Sequence, residues 1–179
     1  MNRMREQLPM VHLKAGEMHC ADRPTLVVTV LGSCLSVILY NRRLGIGGIC
    51  HGLLPSCSRQ KTCNGDCTEK FRYVDCAIRQ MVKIFDRSGV KRSEIEVKCF
   101  GGADMFSRPI EKPGILSVGR QNSEAADEVM KREGLTLITR DVGGLQGRKI
   151  LFYTHTGEVL LKRLARCQHH SAPRETPTA

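Results

Sequence analysis

Apolar residues along the chain recur with two periods. Val74, Ala77, Ile78, Met81, Val82 and Phe85 follow the i, i+3, i+4, i+7 spacing that lays one stripe along an α-helix. This predicts a helix over 73–87, stopped by Gly89. A second helix is predicted from Val118-Gly119 to 133, with Ala125, Ala126, Val129 and Met130 inward and Gly134 after it. Ile95, Val97 and Cys99 alternate with Glu96 and Lys98, the period-2 pattern of a half-buried strand running into Phe100-Gly101-Gly102. Shorter apolar runs at 26–31, 35–40, 46–54, 135–139 and 150–153 read as strands or strand-like segments. Thr156-Gly157 turns the last of these into 158–164, forming a hairpin.

Strands interleaved with two helices predict an α/β protein, a single-domain layered sandwich with mixed or antiparallel sheets and two main helices. The length of 179 residues (20.0 kDa) suits one core. Residues 1–22 read as a variable lead-in, 23–166 as the domain, and 167–179, with His169 and His170, as a frayed polar tail. The stretch 24–41 carries no charge and approaches the length of a membrane-spanning helix. Gly32-Ser33-Cys34 at its middle, its β-branched residues and its four Ser and Thr side chains instead predict two buried strands, or a strand-turn-helix, joined at Gly32.

Composition narrows the function classes. Hydrophobic residues at 41% and charged residues at 26% belong to a globular chain, not a disordered one. Twenty-eight Lys and Arg against eighteen Asp and Glu give +10, a field that favours acidic partners. Adjacent basic residues form pairs, such as Arg42-Arg43 and Lys162-Arg163, but no longer run, and there is no zinc-finger or aromatic-basic RNA signature, so no nucleic-acid groove is expected. Nine cysteines, an odd number, and a start without a long apolar stretch predict free thiols in a reducing cytoplasm. Cys57, Cys63 and Cys67 lack the paired C-x2-C spacing of a zinc ribbon; no metal is implied, although a knuckle in this excursion stays open. Phe100-Gly101-Gly102 lacks the Lys-Ser/Thr ending of a phosphate-binding loop. His12, His19, His155, His169 and His170 have no evident partners in sequence.

Among the cysteines, Cys34 has the most suggestive surroundings. It follows Leu31-Gly32-Ser33 at the end of a β-like run, where a tight turn can gather backbone N–H groups. His51 ends the next apolar segment, and two adjacent strands would bring both side chains to one edge. A buried, inert Cys34 and a satisfied core His51 are the competing description.

Several segments in order resemble the CheD family of chemoreceptor glutamine deamidases. They are Thr29-Val30-Leu31-Gly32-Ser33-Cys34-Leu35-Ser36-Val37, Gly47-Gly48-Ile49-Cys50-His51-Gly52-Leu53-Leu54-Pro55 and Cys99-Phe100-Gly101-Gly102-Ala103-Asp104-Met105. Val118-Gly119-Arg120-Gln121-Asn122, Asp141-Val142-Gly143-Gly144, Gly147-Arg148, Thr156-Gly157-Glu158-Val159 and Leu161-Lys162-Arg163-Leu164 continue the pattern, so the resemblance spans 25–164. It implies Cys34 as nucleophile, His51 as general base and acid, and Thr29 as third member, with Thr25 on the same strand. Backbone N–H groups at Ser33 and Cys34 would hold an oxyanion, and Gly101, Gly102 and Asn122 are candidates for lining the substrate cleft. Met105 and Phe106 are core or an apolar contact for a partner. The implied partners are chemoreceptor cytoplasmic domains and a CheC-type phosphatase, without metal or organic cofactor. A non-catalytic module that binds receptor and phosphatase is the alternative, as are transglutaminase or methylesterase variants of the same thioester chemistry.

Overall fold

The computed structural model describes residues 8–57, 67, 69–104 and 116–165. Nine strands form two sheets. The strands are β1 (Met10–His12), β2 (Met18–Ala21), β3 (Leu26–Leu31), β4 (Leu35–Asn41), β5 (Ile46–Cys50), β6 (Glu96–Gly101), β7 (Leu137–Val142), β8 (Arg148–Tyr153) and β9 (Val159–Arg163). A four-stranded sheet has the order β1-β3-β8-β9, and a five-stranded sheet the order β2-β5-β4-β6-β7. Both are mixed: β1 runs parallel to β3 and β7 parallel to β6, with the other pairs antiparallel.

Strand β4 shows why the layers stack as they do. All seven of its residues are buried, because successive side chains point to opposite faces and both faces are covered. Val37 and Leu39 join Ala77, Ile78, Met81 and Phe85 of helix α1 (Val74–Arg87) and Ala126, Val129 and Met130 of helix α2 (Val118–Arg132). Ile38 turns the other way, to Val27, Leu31, Ile150 and Phe152 of the four-stranded sheet. The order is helices, five-stranded sheet, four-stranded sheet: a layered α/β sandwich with two main helices.

The charge-free stretch 24–41 is two strands, β3 and β4, in different sheets, so the chain changes layer at Gly32-Ser33-Cys34. No described helix is long and apolar enough to cross a membrane. Several boundaries differ from the sequence reading, each for a physical reason. The stretch 1–22, read as a lead-in, contributes β1 and β2; these span three and four residues, too few to display a period. The run 46–54 is a strand only as far as Cys50, after which Gly52 and Leu54 make isolated bridges to Leu35 and Tyr73. In α2 the buried side includes Asn122 and Ser123, while Ala125 is half-buried; polar residues on an inward face escape a hydrophobic stripe. Strand β7 starts two residues later than expected, with Leu135 buried in the approach to it.

Candidate active site

Cys34 lies in the three-residue crossing from β3 to β4 and is half-buried. The carbonyls around it all face backwards into the protein. The Cys34 carbonyl accepts from Gly102 N–H at 2.8 Å, the Gly32 carbonyl from Ala103 N–H at 2.8 Å, and the Ser33 carbonyl from Asn122 Nδ2 at 3.1 Å. Such closeness requires glycine at 101, where φ is 110° and a Cβ would stand 2.3 Å from the Cys34 carbonyl oxygen. With the carbonyls turned away, the Ser33 and Cys34 N–H groups give no hydrogen bond to a backbone carbonyl among the described residues. Free donors beside a nucleophile are what a developing oxyanion needs.

His51 follows β5 directly and is 5% exposed. The loop between β1 and β2 holds it: His51 N–H donates to the Glu17 carbonyl at 2.9 Å, and Gly16 N–H to the His51 carbonyl at 2.8 Å. Its ring Nδ1 is 2.8 Å from Thr29 Oγ1, and Thr29 Oγ1 donates to the Leu13 carbonyl at 2.9 Å. A hydroxyl has one proton. With that proton on the Leu13 carbonyl, Thr29 can only accept from the ring, which assigns the proton to Nδ1 and leaves the Nε2 lone pair free.

The bridge between Leu35 and Gly52 brings the two segments together, with hydrogen bonds of 2.9 and 2.8 Å in opposite directions. In an antiparallel bridge, the residues beside the bridged pair emerge on the opposite face. Leu35 points into the helix-side core, so Cys34 and His51 become diagonal neighbours facing the four-stranded sheet. Thr29 projects from that sheet. Thr25 does not reach the ring: its hydroxyl donates to the Arg23 carbonyl and its N–H to Thr154 Oγ1.

Burial pushes the Cys34 thiol above its ordinary value, a rise its own N–H partly counters. Burial likewise pushes the His51 imidazole below its ordinary value, opposed by the Leu13 carbonyl and by Glu17. Both shifts favour the uncharged forms, thiol and neutral imidazole. Cys20, Cys50 and Cys99 are raised to about 12, 11 and 12, chiefly by burial, so they are structural thiols.

Other candidates fall elsewhere. Gly101 backs the Gly32-Ser33-Cys34 turn. Gly102 does too, and also lines a cavity of about 320 Å³ with Asp104, Arg120 and Arg140. Asn122, expected in a substrate cleft, is fully buried behind the turn; its polar side chain serves protein carbonyls. Met105, Phe106, Cys63, Cys167, His169 and His170 lie outside the described residues. No group of three or more His, Cys, Asp or Glu among the described residues could hold a metal. The loop carbonyls of Leu13 and Glu17 escaped the sequence reading, because a backbone acceptor leaves no signature in side-chain identity.

The family described as CheD chemotactic sensory transduction matches residues 53–163. The chain belongs to the CheD family. A relative from Geobacter sulfurreducens, named a probable chemoreceptor glutamine deamidase CheD 2, is 46% identical over 165 residues, covering 92% of this chain and 96% of its own. Another from Maridesulfovibrio salexigens, named a probable chemoreceptor glutamine deamidase CheD, is 41% identical over 155 residues, covering 86% and 91%. A third, of the same name, from Oleidesulfovibrio alaskensis, is 41% identical over 175 residues, covering 96% and 81%. The CheD match starts two residues beyond His51, whereas these pairwise similarities extend over most of the chain.

Proposed function

We propose that this chain is a cysteine-dependent protein-glutamine deamidase that acts on the cytoplasmic domains of chemoreceptors during chemotactic adaptation. The observation carrying the reading is the relay from the Leu13 carbonyl through Thr29 Oγ1 to His51 Nδ1, which frees Nε2 as a base on the face shared with Cys34. The relatives' names supply the substrate class.

In this mechanism His51 Nε2 takes the Cys34 proton as the sulfur attacks the carboxamide carbon of a glutamine. The carbonyl π pair moves to oxygen, where the Ser33 and Cys34 N–H groups receive it; loss of one such donor costs about 3–4 kcal/mol in the transition state. The imidazolium returns its proton to the departing nitrogen, ammonia leaves, and a thioester remains. Water, deprotonated by His51, attacks the thioester, and cleavage of the C–S bond yields glutamate and the thiol. The reaction takes its proton transfers from one imidazole, and the resting neutral pair suits that role, since the base is unprotonated when substrate arrives. A cytoplasmic location and a CheC-type phosphatase as second partner complete the reading, and the +10 charge would steer the chain toward acidic helical surfaces.

Mixing the protein with receptor cytoplasmic fragments should release ammonia and convert individual glutamines to glutamates, read by mass spectrometry. Cys34→Ala should abolish both while leaving the circular-dichroism spectrum unchanged. Turnover surviving that substitution removes Cys34 from the mechanism. Receptor binding without turnover by the unmodified chain would leave a regulatory module instead.

A further inference from the structure

We propose that Asn122 is a positioning residue that fixes the separation of Cys34 and His51; this rests on the deamidase reading above. Its Nδ2 donates to the Ser33 carbonyl at 3.1 Å and to the Leu53 carbonyl at 3.0 Å. Ser33 directly precedes Cys34, and Leu53 lies two residues after His51. Both amide hydrogens are thereby committed, one to each reacting segment. The orientation is set by these partners: both are acceptors, so only the nitrogen can face them.

The rest of the side chain argues that this geometry, not stability, is its contribution. Asn122 is fully buried, and among the described residues its Oδ1 has no hydrogen-bond partner. An unsatisfied buried acceptor offsets much of what two hydrogen bonds contribute. The residue is therefore a poor stabiliser but a stiff spacer. It also stands on a rigid support. Its helix α2 begins so close to the segment behind Cys34 that a Cβ at Gly119 would lie 2.5 Å from the Gly102 carbonyl oxygen. Asn122 and Gly102 thus hold the nucleophile turn by two consecutive carbonyls, of Ser33 and Cys34. Of the two, only Asn122 also reaches the histidine segment.

Two readouts test this with Asn122→Ala and the equal-sized Asn122→Asp, which lacks both donors when ionised. On receptor fragments, kcat should fall about 100-fold with KM within about twofold, because a small misplacement of reacting groups has that effect. Without any receptor, the alkaline midpoint of iodoacetamide alkylation at Cys34 should move away from the parent's, because the sulfur no longer keeps its place in the turn. Thermal melts should fall, because two carbonyls lose their donor, but both variants should remain folded at the assay temperature. A folded variant with near-parental kcat and an unchanged alkylation profile overturns the proposal, as does a raised KM with kcat intact. Unfolding of both variants also overturns it, since Asn122 would then be a stability residue. A parent chain that never deamidates receptor, yet shows the alkylation difference, counts against the deamidase reading alone.

Discussion

A single hydroxyl proton decides which imidazole nitrogen is available. Thr29→Val keeps the shape of the side chain but removes both halves of the relay, leaving His51 Nδ1–H and the Leu13 carbonyl facing a methyl group. The ring can then adopt either tautomer, and kcat should fall by about 10- to 100-fold with little change in KM, less than the roughly 10²–10⁴-fold of losing the base outright. The pH dependence follows from the two shifts. His51 lies below its ordinary 6.5, so the base stays unprotonated as pH falls through that value, and the acid limb of kcat/KM should appear below pH 6.5. Cys34 moves the other way from 9.0, so its direct alkylation should accelerate only as pH rises well into the alkaline range. Rapid labelling of Cys34 at mildly acidic pH would contradict a resting thiol. At this scale the sequence named Cys34 and His51 as candidates through Gly32 and the neighbouring apolar runs. Which threonine meets the His51 ring needed the fold: β3 begins at Leu26, so Thr25 lies outside the strand and only Thr29 stands 2.8 Å from Nδ1.

Elements carry these groups through backbone contacts that side chains do not announce. Gly101 ends β6 with its α-carbon pressed on the Cys34 carbonyl. Gly101→Ala forces either a strained φ, worth about 1–3 kcal/mol, or displacement of the nucleophile turn. Reduced melting temperature together with a fall in kcat should result, and retention of both would show that the turn tolerates movement. The helices were readable because α1 places an uninterrupted apolar stripe against the sheet. The inward side of α2 was read less well, since Asn122 and Ser123 serve the turn and not the apolar core. Strands β1 and β2 were invisible in the sequence for a different reason: they are held by register with β3 and β5, and their own patterns are too short to mean anything alone.

For the whole molecule, the question is what keeps the two sheets in step. Arg148 on β8 is 1% exposed and donates from Nε to Asp141 Oδ1 on β7 at 2.7 Å, across the layers. It also donates to the carbonyls of Gly143 and Gln146. Arg163 donates to the second Asp141 oxygen at 2.6 Å. Removing one member of a fully buried pair typically costs about 3–5 kcal/mol; with Asp141 26% exposed and still paired with Arg163, the loss here should be smaller. Arg148→Met should still lower the melting midpoint, whereas Arg163→Met, at a half-exposed site, should cost far less. Equal losses in a denaturant titration would show that the burial of Arg148 is irrelevant. Sequence patterning gave no warning of this contact, because a buried arginine reads as a polar interruption of a strand.

The neutral resting state of Cys34 has a consequence for survival of the protein under oxidative stress. Peroxide converts cysteine anions to sulfenic acid far faster than it does protonated sulfur. On the proposed mechanism, a sulfur that burial keeps protonated until a carboxamide enters would offer oxidants little to consume.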